Sequence, residues 1–383
     1  MPIQLFVPTF RVDECLQEIR ECLDKGWTGL GYKTVEFEEK WKAFTGMSHA
    51  HFVNSATVGL HLAVKIFKDE LGWKDDDEII STPITFISTN HVITYEKLKV
   101  IFADVDESLC LDPIDVEEKI TDKTKAIIYV GIGGNSGKYK EIEMLRNKYN
   151  LKLILDAAHM VGTKLDGENI GMEADATVYS FQAVKNLPTA DSGMLCFKDE
   201  KRDQIARKLS WLGINKDTYL RSNENGDYRW KYNVEYIGYK YHGNSIMASI
   251  GLVQLKYLEE DNKYRKQIAS WYDEGFRPYK NLIRSIPIAK GCESSRHLYI
   301  IEVDERDALM KTLNDHEIYP GVHYIDNTTY SMYSYAAGSC PKANYMSEHI
   351  LSLPLHLRLT KQDVDKVVEI VIKSVQVGGK QGT

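Results

Sequence analysis

Residues 152–162, KLILDAAHMVG, and residues 176–194, ATVYSFQAVKNLPTADSGM, each open on a short apolar run that ends in a polar side chain, Asp156 in the first and Ser180 in the second. Runs this short, bounded by polar and turn-forming residues, read as buried strands. Outward from them the same pattern recurs at residues 50–53, 78–81, 99–103 and 126–130, with amphipathic stretches such as 55–71 and 137–149 between. Strands alternating with helices at this spacing predict an α/β fold, a mostly parallel sheet covered on both faces. In such sheets ligands bind beyond the carboxyl ends of the strands, so Asn54-Ser55, Asp156 and Ser180 are candidates for one crevice.

Further along, a long helical pattern at 244–275 leads to a strand-like run at 297–303 and helices at 306–316 and 361–375. The rhythm predicts a large domain, residues 1–258, and a smaller α+β domain, residues 259–383. A chain of 383 residues is long enough for two such cores. Its net charge of -7 argues against a polyanion-binding surface, so nucleic acid is not expected as a partner. The six cysteines are scattered, with no CxxC pair and no metal-ligand spacing to histidine, and read as reduced thiols with no bound metal. No basic leader with an apolar core opens the chain, and no apolar run approaches the ~18 residues of a membrane helix, so a cytoplasmic protein without membrane contact is expected.

Three features carry chemistry. Asp156, delivered to a strand end beside small alanines and His159, can pair with a buried cation or a protonated heterocycle, or equally can cap the next helix. Lys185, just past the strand ending at Ser180 and flanked by Val184, Leu187 and Pro188, can be partly desolvated, which favours the neutral amine that an imine requires; most lysines are instead solvated surface charges. Ser55-Ala56-Thr57 stands between a strand and a helix, where backbone N–H groups and the helix dipole favour a phosphate, although ordinary capping explains it equally well. Together they describe a pyridoxal-phosphate (PLP) site: a phosphate cradle, an acid for the pyridine nitrogen and a lysine for the aldehyde.

The chain resembles the DegT/StrS family of sugar aminotransferases, fold-type I PLP enzymes, almost from end to end. GWTGLGYKTVEFEEKW (26–41), NSATVGLHLAV (54–64), TPITFISTNHVI (82–93), FADVDESLCLDPIDVEEKITDKTKAIIYV (102–130), LDAAHMVG (155–162), SFQAVKNLPTADSGM (180–194), GYKYHGNSIMASIGLVQL (238–255) and LSLPLHLRLT (351–360) follow the family's order. The resemblance implies that Lys185 forms the Schiff base and shuttles the proton, that Asp156 partners the pyridine nitrogen, and that His159 neighbours the ring hydroxyl. It implies that Phe86 stacks on the cofactor, and that Ser55, Ser180 and the Ala56 and Thr57 amides hold its phosphate. One of Lys240, His242 or Asn244 would reach the partner's site, so a homodimer with shared active sites is implied.

The chain departs from the family pattern in three places: Ala56 replaces the usual phosphate-loop glycine, the segment 238–242 reads GYKYH, and GIGGN (131–135) stands where relatives often place a histidine. The implied reaction takes an amino group from glutamate to a keto sugar, a nucleotide-linked 4-keto or 3-keto deoxysugar, in surface polysaccharide or amino-sugar biosynthesis. Alternative readings are amination of a small phosphorylated ketone or a cyclitol, and a non-catalytic PLP-binding regulatory protein. A related sugar 3-dehydratase is disfavoured by Lys185, since that branch carries histidine there. A plain dinucleotide-binding protein is disfavoured because no GxGxxG follows an early strand.

Overall fold

The computed structural model describes residues 2–215 and 232–378. In chain order the strands are β1 His51–Val53, β2 Glu78–Ser81, β3 Lys99–Phe102, β4 Thr124–Val130, β5 Lys152–Asp156, β6 Lys164–Leu165, β7 Glu168–Asn169, β8 Ala176–Ser180, β9 Gly193–Phe197, β10 Arg284–Ser285, β11 Cys292–Glu293, β12 Tyr299–Glu302 and β13 Ile350–Leu353. The helices are α1 Val12–Asp24, α2 Tyr32–Thr45, α3 Ala56–Leu71, α4 Ser88–Tyr95, α5 Pro113–Glu118, α6 Tyr139–Lys148, α7 Glu200–Ser210, α8 Ser245–Phe276, α9 Arg306–Asp315, α10 Pro341–His349 and α11 Lys361–Gly378.

Seven strands form the main sheet in the order β1-β9-β8-β5-β4-β2-β3. The run from β8 to β3 is parallel, and β9 lies antiparallel between β8 and β1. Period-two alternation divides β5 between two cores: Leu153 and Leu155 join Phe37, Trp41 and Tyr179 on one face, while Ile154 joins Leu60, Val64 and Phe67 of α3 on the other. Asp156 shares parity with Ile154, so its carboxylate emerges on the α3 and α4 side. Because β9 runs backwards, its first residue meets the carboxyl ends of its neighbours, with Gly193 paired to Ser180 and to Val53. That edge of the sheet therefore gathers the ends of β1, β4, β5 and β8.

Helix α3 starts there because Ser55, in extended conformation, caps it by accepting from the Val58 N–H at 3.4 Å, and it stops at Gly72 in the left-handed conformation. Helix α8, 32 residues long, is capped by Asn244, which accepts from the Met247 N–H at 3.0 Å. Along its length it gives Ala248, Leu252 and Leu258 to the main core and Ile268, Ala269, Tyr272 and Phe276 to a second core. That second core is built on the antiparallel sheet β10-β12-β13 with α9 and α11. The chain start joins it too, through Ile3 and its bridge to Ile318. A small sheet, β11-β6-β7, links the two units. Among the described residues no helix is long and apolar enough to cross a membrane.

Gly193 is where the sheet meets α3. A Cβ built there would lie 2.7 Å from the Ala56 nitrogen, 2.7 Å from the Tyr179 oxygen and 2.9 Å from the Ser55 carbonyl carbon, all of them backbone atoms with no freedom to swing aside. Gly193→Ala is expected to destabilise the protein by about 1–3 kcal/mol, the ordinary cost of overpacking, read as a lower urea midpoint at unchanged slope.

Candidate functional site

Beyond the gathered strand ends lies a cavity of about 460 Å³ whose walls include Ser55, Ala56, Thr57, Phe86, Asp156, His159, Ser180 and Lys185. Eight of the sequence-predicted residues thus converge on one space. Asp156, only 4% exposed, accepts from the Thr89 hydroxyl at 2.8 Å and from the Ala158 N–H at 3.1 Å. The Thr89 hydroxyl is itself within 2.9 Å of the Thr85 hydroxyl, so α4 holds the carboxylate through a short relay. Burial raises the Asp156 pKa above the ordinary carboxylate value, a shift opposed by these donors and by Lys185.

Lys185 sits in the loop joining β8 to β9. The loop is pinned at its neck by Phe181 N–H to the Ser192 carbonyl (2.8 Å) and Thr189 N–H to the Phe181 carbonyl (2.9 Å). Asn186, buried, anchors its tip by donating to Asn262 of α8 at 2.7 Å and to the Ser295 carbonyl at 2.8 Å. Burial lowers the Lys185 pKa to about 8, with Asp156 acting the other way. The amine is therefore far more available near neutrality than that of a surface lysine.

The phosphate-side residues are small and open. Ser55 caps α3, and Ala56 and Thr57 form its first turn at the cavity wall. Ser180 accepts from the Gln182 N–H at 3.4 Å. Phe86, 59% exposed although apolar, stands at the rim with its ring 6.2 Å from that of Tyr324.

His159 is held from both sides. Its Nδ1 accepts from the Gly133 N–H at 3.3 Å, which places the proton of the neutral ring on Nε2, facing the Tyr324 hydroxyl at 3.1 Å. The GIGGN segment thus supplies a backbone donor: Gly133 and Gly134 both adopt positive φ, and a Cβ on Gly134 would stand 2.4 Å from the Ser295 hydroxyl.

Lys240, His242 and Asn244 do not line the cavity of their own chain. The Lys240 ammonium lies over the Trp211 ring, 3.3 Å from its centroid; His242 packs edge-on against the same ring; Asn244 caps α8.

Sequence reasoning missed Phe6, His297, His323 and Tyr324, which reach the cavity from the chain start and the smaller unit, and Gln182 within the lysine loop. His297 donates from Nδ1 to Asn186 at 3.0 Å and stacks on Phe6. Burial depresses His159 and His297 well below the usual histidine value and His323 to about 4, and the charge of Lys185 adds to each shift. All three rings are neutral at pH 7. A lone histidine in a turn or bend gives no sequence signal for this convergence.

The chain matches the model of the DegT/DnrJ/EryC1/StrS aminotransferase family over residues 11–372. It is 36% identical to the spore coat polysaccharide biosynthesis protein SpsC of Bacillus subtilis, over 94% of this chain and 93% of that one. Among solved structures it is similar to the aminotransferase TlmJ of Streptoalloteichus hindustanus, with a TM-score of 0.90, 32% identity, and coverage of 98% of this chain and 100% of that one. It is also similar to the sugar aminotransferase Spr1654 of Streptococcus pneumoniae in its PLP form, with a TM-score of 0.89, 28% identity, and coverage of 98% and 99%; that protein is also solved in its PMP form. With a match over nearly its whole length and an α/β fold shared from end to end, this chain belongs to the DegT/DnrJ/EryC1/StrS aminotransferase family and is a PLP-dependent aminotransferase.

Proposed function

We propose that the protein transfers an amino group from glutamate to a nucleotide-linked keto sugar, at C4 or C3 of a deoxysugar, in surface polysaccharide or amino-sugar biosynthesis. The observation that carries the reading is the meeting of a buried acid, a lysine of lowered pKa and an open helix N-terminus in one cavity. Its wall also carries His297, His323, Tyr324 and Gln182, which are neutral and rich in hydrogen-bonding atoms and suit the hydroxyls of a sugar ring, and the carboxylate of Asp191. The similarity to a spore coat polysaccharide protein supports the pathway.

The donor set fits PLP. Asp156 would face the pyridine nitrogen, Lys185 the aldehyde carbon, and His159 the ring hydroxyl. Phe86 would cover the ring, and Ser55, Ala56, Thr57 and Ser180 would take the phosphate at the N-terminus of α3. Bound PLP supplies an electron sink that acidifies the hydrogen on the carbon beside the transferred nitrogen. Asp156 stays ionised next to a cationic N–H and stabilises it. Lys185, neutral in a good fraction of molecules near pH 8, takes the carbon-bound proton on Nζ and returns it one step later. The rigid neck of its loop keeps Nζ on that path. Because Nε2 of His159 donates to Tyr324, the Tyr324 hydrogen is left to donate into the cavity, and burial keeps that phenol protonated. One of Lys240, His242 or Asn244, none of which lines its own cavity, would serve the second subunit of a homodimer.

The reading is tested by incubating the PLP-loaded protein and glutamate with a panel of nucleotide-linked keto sugars, free keto sugars, keto phosphates and inosose-type cyclitols. Mass spectrometry is expected to find amination of a nucleotide-linked sugar with formation of 2-oxoglutarate, and amination of the keto phosphates or cyclitols alone would refute it. Asp156→Asn keeps one acceptor oxygen, enough for the Ala158 N–H, and turns an amide N–H toward the Thr89 hydroxyl, which can accept it, but it cannot hold a protonated ring nitrogen. In the same assay it is expected to lower turnover by roughly a hundredfold or more, while circular dichroism and PLP retention stay close to wild type.

Lys185 also leaves a pH signature. Its folded pKa, about 8, lies below the ordinary 10.5, so between these values the unfolded chain binds more protons and stability rises with pH. The burden is full below about pH 8 and gone above about 10.5. Cofactor-free Lys185→Met is therefore expected to be more stable than cofactor-free wild type at pH 7. That difference should shrink as pH rises through the window, as read by urea unfolding.

A further inference from the structure

We infer that Asn327, a residue of the smaller unit that does not itself line the cavity, is a positioning residue for the Asp156 carboxylate, acting through Thr85 and Thr89. The inference rests on the reading that Asp156 faces the pyridine nitrogen of PLP.

The relay has a direction. A threonine hydroxyl has one hydrogen to give. Thr89 donates its own to Asp156 Oδ2 at 2.8 Å, so across the 2.9 Å contact between the two hydroxyls Thr85 is the donor. Both hydrogens therefore point toward the acid, and hydrogen bonds in line polarise one another. The bond from Thr89 opposes the rise that burial imposes on the Asp156 pKa. Both threonines are buried. A carboxylate at this depth is sensitive to each donor it keeps.

Thr89 is placed by the first turn of α4, but Thr85 lies in residues 82–87, between β2 and α4, where neither strand nor helix fixes the backbone. Its anchor comes from the smaller unit. The Asn327 N–H donates to the Pro83 carbonyl at 2.9 Å, and Asn327 Nδ2 donates to the Thr85 carbonyl at 3.0 Å. Asn327 Oδ1 accepts from Nδ2 of Asn90, the residue after Thr89, at 2.8 Å. The segment is thus gripped before Thr85, at Thr85 and beyond Thr89. An apolar side chain could fill the same space, but the Thr85 carbonyl would lose that donor.

Asn327 is itself firmly held. It is 1% exposed and opens the one-turn helix Asn327–Thr329, which Asp326 caps by accepting from the Thr328 N–H at 2.8 Å. The Asp326 N–H donates to the Ser347 hydroxyl of α10 at 2.8 Å. Three residues before Asn327 the same loop carries Tyr324, whose hydroxyl meets His159. One loop of the smaller unit therefore supplies part of the roof and also sets the acid in the floor.

The test loads the protein with PLP isotopically labelled at the ring nitrogen and reads that resonance by NMR. Asn327→Ala and Thr89→Val are expected to displace it from the wild-type position toward that of Asp156→Asn, and Thr89→Ser, which keeps the hydroxyl, to bring it back. Because the relay ends at Thr89, adding Asn327→Ala to Thr89→Val should move the resonance no further; an added displacement of equal size would mean another route and overturns the inference. A tie that only stabilised the fold would lower the urea midpoint and leave the resonance in place, which also overturns it. Asn327→Ser, too short to span to Thr85, is the second variant should the alanine protein not fold. If Asp156→Asn itself leaves the resonance unmoved, the reading of Asp156 fails and the inference falls with it. If Asp156→Asn moves it and neither Asn327→Ala nor Thr89→Val does, the inference falls alone.

Discussion

A carboxylate removed from water must find donors or a cation, or else take up a proton, and the candidate site is organised around that demand at Asp156. The Thr89 hydroxyl and the Ala158 N–H meet part of it, which fixes α4 against the end of β5. Lys185 meets more of it through space, and the pair relieves both members: the lysine opposes the rise of the acid's pKa and the acid opposes the fall of the lysine's. Neither side chain would hold its place as an isolated buried charge. The same low-dielectric surroundings strip protons from His159, His297 and His323, so the buried charge of the cavity sits on Asp156 and Lys185 while its histidines stay neutral.

The reversed strand β9 is the second constraint. Had β9 run parallel to β8, its carboxyl end would have met Ser180 and the following chain would have crossed the mouth of the cavity. Running antiparallel, it brings Gly193 to that edge, and with it the closest approach of sheet and helix N-terminus in the site. The short loop holding Lys185 is the direct consequence, since β8 and β9 are joined as a hairpin at the strand ends where ligands gather.

Much of this was legible in the sequence, because β2, β5 and β8 are marked by apolar runs between turn residues, and Asp156, Ser180 and Lys185 stand where such runs stop. Strand β9 was not singled out: it is five residues long and hard to tell from any apolar stretch before a helix. The roof of the cavity was illegible for a different reason. Phe6, His297, His323 and Tyr324 are brought together only by packing of the smaller unit, and nothing local distinguishes them from core aromatics and capped histidines. Lys240, His242 and Asn244 came from resemblance alone, and within one chain they have ordinary employments, on an indole face, in an aromatic contact and at a helix cap. The backbone role of Gly133 toward His159 also escaped sequence reading, since an N–H donor leaves no trace in residue type.

Helix α8 runs unbroken from one hydrophobic core into the other, about 48 Å at the rise of an α-helix. It behaves as a common axle. A hinge between the units would have to break its backbone hydrogen bonds or strip apolar side chains from one of its two cores, so the floor bearing Asp156 and Lys185 and the roof bearing His297, His323 and Tyr324 keep a fixed spacing. The mouth of the cavity is thereby framed by elements tied to one continuous helix, with Phe86 standing exposed at its rim.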